Sequence, residues 1–153
     1  MTPERMARDK QEGLVMCGLH GRAKAIRSEM RARNARALLP DASGKVWRRG
    51  VIDGDAPFSR RMPMPAQALL EAAQRVQVPA VLSGDAGRYL CNYLCWRACE
   101  AVNAEGPRLA AFVHVPAVSR SPHRAGKSRW TSTRLLRVGQ NVLKALVSAV
   151  NRS

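Results

Sequence analysis

Residues 85–97 read DAGRYLCNYLCWR and residues 109–118 read LAAFVHVPAV. Two side chains in these stretches can do chemistry. Cys91 follows a glycine-containing turn at the start of a helical pattern, wherever between Asp85 and Tyr89 that helix begins. Unpaired backbone N–H groups and the positive end of the helix dipole favour a thiolate there. A thiolate attacks carbonyl carbon at neutral pH and a thiol barely does, so Cys91 is expected to be the fast-reacting cysteine. Such a nucleophile needs a base within reach. His114 interrupts what otherwise reads as a fully buried strand, just before the strand-breaking Pro116. Parallel α/β sheets place their sites outside the carboxyl ends of the strands. His114 alone reads as a hydrogen-bonded core residue; beside Cys91 it reads as the base.

The remaining cysteines carry less. Cys91, Cys95 and Cys99 are four apart and project from one side of a helix. Zinc-site spacings are absent, and a disulfide within one helix is geometrically poor. Cys95 and Cys99 therefore read as small hydrophobes facing a sheet. Cys17 stands alone, and the four together show no secreted disulfide framework.

The elements that must position Cys91 and His114 alternate along the chain. GLVMCGL (13–19) reads as a strand buried on both faces. AKAIRSEMRARN (23–34) suits either a helix or, through Ile26, Ser28 and Met30, a strand. Segments 40–50 and 53–65 are loop-rich, and 66–77 is an amphipathic helix with Leu69, Leu70, Ala73 and Val76 on one face. VPAVLS (78–83) is a strand, followed by the Cys91 helix and the His114 strand. Residues 119–132 read as a basic surface loop, and 133–150 as a helix with apolar residues at 135, 138, 142, 146 and 149. This alternation predicts a single α/β domain over 1–153, a three-layer α/β/α arrangement around a mostly parallel central sheet.

Composition sets the bounds. Lys and Arg number 26 against 11 acids, a net charge of +15. Arginine binds phosphate through a planar fork, so a polyanion partner is one reading. The basic residues are nevertheless spread from Arg5 to Arg152 without a dominant block or interleaved aromatics. Dispersed surface charge with weak, non-specific nucleic-acid binding is the preferred expectation. No stretch is apolar enough to cross a membrane, and the first residues lack a signal-peptide core, so a cytoplasmic, reduced protein is expected.

LSGDAGRYLCNYL followed by FVHVP resembles pyroglutamyl peptidase I, the pyrrolidone-carboxylate peptidase family. Its nucleophile lies in S-x-x-A-G-[T/R]-[F/Y]-x-C-N and its histidine in F-[I/V]-H-V-P. Ser83, Ala86, Gly87, Tyr89, Cys91 and Asn92 match the first; Phe112, His114, Val115 and Pro116 match the second. Upstream, CGLHGRAKAIRSEMRARNARALLPDASG is similar to G-L-A-G-G-R…E-R-x-A-x-N…P-D-x-x-G, with Glu29, Asn34, Pro40, Asp41 and Gly44 in register after one small gap. The resemblance implies a cysteine peptidase that removes N-terminal pyroglutamate from peptides, with Cys91 as nucleophile, His114 as base and Glu29 fixing the imidazole. It implies no cofactor and no metal, and suggests a homo-oligomer.

The sequence also departs from the family. It has no T-G-F-x-P-F-G-like loop before Gly13, and is shorter by roughly one βα unit. The arginine expected before Pro40–Asp41 is replaced by ALL (37–39), with Arg36 as a displaced candidate, and His20 stands where a small residue is usual. The expectation is a domain lacking the family's N-terminal strand and loop, exposing apolar edge surface and turning over slowly. The alternatives are an inactive family member acting as a binding or structural protein, and a basic nucleic-acid-binding protein.

Overall fold

The computed structural model describes residues 12–40, 42–46, 50–104, 106–118 and 130–152. Its elements run β1 (Gly13–Leu19), β2 (Ile26–Glu29), β3 (Arg31–Arg33), β4 (Ser59–Arg61), α1 (Ala66–Gln74), β5 (Ala80–Ser83), α2 (Leu90–Asn103), β6 (Leu109–Val115) and α3 (Ser132–Val150). The central sheet has the order β1-β6-β2-β5. β1 runs parallel to β6 and β2 parallel to β5, while β2 and β6 meet antiparallel with Arg27 opposite His114. The sheet is thus mostly parallel, with one antiparallel seam at its centre.

The two-residue alternation of β6 builds the layers. Ala110 and Phe112 face α2 together with Leu14 and Met16 of β1, Cys95, Trp96 and Cys99. Ala111 and Val113 face the other way, onto Leu69 of α1 and Val138, Val142, Leu146 and Val150 of α3. That is the expected α/β/α stack. His114 continues the Ala110–Phe112 side, its ring edge-on to Phe112 at 5.0 Å between centroids. Four buried aliphatics on α3, each worth about 1.5–3 kcal/mol, outweigh the roughly 1 kcal/mol that mid-helix Gly139 costs against alanine.

Several local expectations need correction. The ambiguous 23–34 segment is strand: β2, a break at Met30, then β3. Met30 joins the sheets, donating its N–H to Ser83 O and accepting at O from Met62 N–H. The 53–65 segment contains β4, paired antiparallel with β3, because Asn34 holds the preceding loop through bonds to Ile52 N, Asp53 N, Asp53 O and Ala56 O. α1 ends at Gln74, before Gln77 takes a left-handed φ of 56°. Of the basic loop at 119–132, residues 119–129 lie outside the described residues. Its end is not loop: Trp130 is buried, Thr131 Oγ1 caps α3 by accepting from Arg134 N, and Ser132 starts the helix.

β1 is likewise not buried on both faces. Leu14 and Met16 are covered by α2, whereas Cys17 is exposed and Leu19 is 70% exposed. It occupies one end of the sheet order, so among the described residues its outer edge has no strand partner.

Candidate active site

The loop after β5 aims the start of α2. Asp85 Oδ1 accepts from Gly87 N at 2.9 Å, and Gly87 has φ +83°, a conformation that costs a side chain free energy and glycine little. Tyr89 OH donates to Pro40 O at 2.9 Å, and Arg88 O accepts from Ala37 N. The helix starts at Leu90, which makes Cys91 its second residue. Next to it, Asn92 is fully buried. Its Oδ1 accepts from Arg33 N and its Nδ2 donates to Arg33 O and Ala35 O, all at 2.8–2.9 Å. Asn92 therefore clamps the helix start to β3, which fixes Cys91 over the sheet.

Under Cys91 lies Gly18 of β1, in register with His114 of β6. A Cβ at Gly18 would stand 3.2 Å from Cys91 Sγ and 2.7 Å from Phe112 Cζ. The sulfur thus rests against the strand pair at the level of His114. No hydrogen bond joins Cys91 Sγ to the imidazole among the described residues.

His114 is 4% exposed and Glu29 is completely buried. His114 Nδ1 lies 2.8 Å from Glu29 Oε1, a diagonal contact across the antiparallel β2–β6 seam. Arg27 Nε reaches the same oxygen at 3.4 Å, while Arg27 Nη2 donates to Ser83 Oγ at 2.7 Å. Glu29 Oε2 is buried without a hydrogen-bond partner. The structure therefore brings Glu29 and His114 into direct contact and sets Cys91 beside them from the helix layer. With Nδ1 on Glu29, Nε2 is the nitrogen left to exchange a proton with a group above the sheet.

The electrostatics correct one expectation. Cys91 is not a thiol pushed down by the helix start. Burial, and after it the charge of Glu29, push it above the ordinary thiol value, against a smaller lowering by a backbone N–H. Half-buried beside a buried carboxylate, the sulfur rests as a thiol. Burial also lifts Cys99 to about 11 and lifts Cys95 further.

The sequence reading missed Gly18 and Arg27. Arg27 was signalled weakly by its two-residue spacing from Glu29 on one strand; Gly18 became visible only once β1 lay beneath α2. His20 sits next to the site, its ring edge-on to His114 at 5.5 Å and its Nδ1 buried without a partner. Arg36 packs over Tyr93 at 5.1 Å and donates to Ile52 O.

Residues 3–149 match the pyroglutamyl peptidase family. The chain belongs to that family. Pyrrolidone-carboxylate peptidase of Lactobacillus helveticus is 29% identical over 145 residues, covering 94% of this chain and 69% of the relative. The enzyme of that name from Thermococcus litoralis is 35% identical over 81 residues, covering 52% of this chain and 37% of the relative. The solved structure of pyrrolidone carboxyl peptidase from Thermococcus litoralis superposes with a TM-score of 0.82 at 24% identity, covering 98% of this chain and 72% of that one. That from Pyrococcus furiosus gives 0.82 at 24%, covering 97% and 75%. At such identity the structures speak for the fold, which is the pyroglutamyl peptidase fold. Among the described residues no helix is long and apolar enough to cross a membrane.

Proposed function

We propose that this chain is a cysteine peptidase that removes N-terminal pyroglutamate from peptides, with Cys91 as nucleophile, His114 as general base and acid, and Glu29 as the group that orients the imidazole. The observation that carries this is the buried His114–Glu29 contact at 2.8 Å, with Cys91 Sγ packed against the strand partner of His114. The name of its relatives supplies the substrate class.

Because Cys91 rests as a thiol, the attack and the proton transfer go together. The sulfur adds to the pyroglutamyl carbonyl carbon as His114 Nε2 takes the thiol proton. The tetrahedral intermediate collapses when the imidazolium gives that proton to the leaving amine, leaving a thioester. Water, deprotonated by the same nitrogen, then hydrolyses the thioester and restores the thiol. Proton transfer of this kind is worth about 10²–10⁴-fold in rate. In this reading the unpaired backbone N–H groups at the start of α2 would receive the developing oxyanion.

The test is release of a fluorescent amine from a pyroglutamyl derivative. Cys91→Ala and His114→Ala should abolish it, and Glu29→Gln should lower kcat by about 10²–10⁴-fold. Turnover by Cys91→Ala at the wild-type rate would exclude the mechanism. A second reading, a family member that binds without turnover, draws on the raised Cys91 thiol and the His20 ring against His114. It requires saturable binding of a pyroglutamyl peptide with no product.

A further inference from the structure

On the face of the sheet away from Cys91, α1 and α3 enclose two adjoining cavities of about 240 and 270 Å³ that share Arg75 and Asn141. Their walls carry four exposed cations: Arg75 just past the end of α1, Arg137 and Lys144 on α3, and Arg152 two residues beyond it. Among the described residues none of the four forms an ion pair. The one carboxylate in the walls, Glu71, accepts a hydrogen bond from Gln67. The floor is small, made by Ala68, Ala72 and Ala145, and Asn141 Nδ2 ties the helices together there by donating to Ala72 O at 3.2 Å. One alanine-floored groove thus gathers four cations that form no ion pair, beside the single carboxylate of Glu71.

We propose that this groove binds the phosphodiester backbone of duplex nucleic acid without reading its sequence. At 1.5 Å per residue, Arg137 to Arg152 spans roughly 22 Å, too long for one phosphate and suited to a run of them. The floor lets a backbone lie close, and the flanking cations release its counterions on binding. No aromatic side chain lines the groove, which disfavours single strands held by base stacking. Of the exposed large apolar residues of α3, Leu136, Leu143 and Val147, none lines the basic groove, and Leu143 lines a separate groove with Val15 and Cys17 of β1. The basic groove thus has no apolar wedge for a lipid surface.

The proposal does not rest on the peptidase reading. Its test is fluorescence anisotropy of the full chain with a labelled duplex of about 24 base pairs, from about 50 to about 200 mM salt. Four phosphate contacts give a log–log salt slope of roughly −3.6, about a 150-fold loss of affinity across that range. Replacing Arg75, Arg137, Lys144 and Arg152 together by Gln should make the slope shallower by about three to four units. The same loss of charge at exposed Arg22, Lys24, Arg31 and Arg88 should change it by less than about one. If the groove variant fails to fold in a thermal melt, Lys144→Glu alone should still weaken binding more than Lys24→Glu. Equal effects of the two variants, no binding at low salt, or tighter binding to phosphatidylserine vesicles than to duplex would each overturn the proposal.

Discussion

Gly18→Ala tests the packing that places Cys91 opposite the His114 strand. Gly18 does not have a positive φ, so the backbone tolerates alanine and only space is at issue. The new methyl would stand 2.7 Å from Phe112 Cζ, 3.1 Å from Phe112 Cε1 and 3.2 Å from Cys91 Sγ. Ordinary carbon contacts lie near 3.5–4.0 Å, so the Phe112 ring has to retreat by about 1 Å. Phe112 is 1% exposed and edge-on to His114, so the displacement passes into the imidazole. Overpacking of a closed core costs about 1–3 kcal/mol, which for a chain of this length lowers Tm by about 2–12 °C. A displacement near 1 Å at the reacting groups costs about 10²-fold in rate. Gly18→Ala should therefore lose both stability and kcat in the fluorescent-amine assay, and Phe112→Leu in the same chain should recover part of each. Gly21→Ala is the control, because its Cβ would meet nothing within 4 Å. A Gly18→Ala chain that melts and turns over like the wild type would refute the placement of Cys91 against β1.

Brief iodoacetamide treatment near pH 8 should label exposed Cys17 and half-buried Cys91 ahead of Cys95 and Cys99, read by mass spectrometry; early labelling of Cys95 would contradict its burial. Asn92→Ala should destabilise by about 3 kcal/mol in urea unfolding, because it strands buried partners at Arg33 and Ala35. Gly139→Ala should stabilise by about 0.5–1 kcal/mol in the same measurement, since its Cβ meets nothing within 4 Å in mid-helix. Stability should fall in alkali: the buried thiols, Cys99 at about 11 among them, keep their protons in the fold while the unfolded chain releases them near the ordinary thiol value. The loss begins above the unfolded thiol pKa and continues through about pH 11, and Cys99→Ala should flatten it.

The sequence by itself determined the layers and singled out the candidate site residues. The unbroken apolar run at 109–115 reports a strand buried on both faces, and the period-3.6 run at 132–150 reports one-sided burial, because each residue's face follows from its position in the repeat. The spacing around Cys91 and His114 was equally local. Tertiary structure decided what depends on neighbours distant in sequence. Segment 23–34 became strand because Ile26–Glu29 pairs with Ala80–Ser83 and its centre with β6, partners no local pattern names. β1 looked interior from its apolar run, yet its exposure was set by its place at the end of the strand order. The state of Cys91 was decided the same way. The helix start favours a thiolate, but burial and the charge of Glu29, brought from β2 by the sheet, outweigh it. Helix position is written in the chain; solvent exclusion and a carboxylate 62 residues away in sequence arise only on folding.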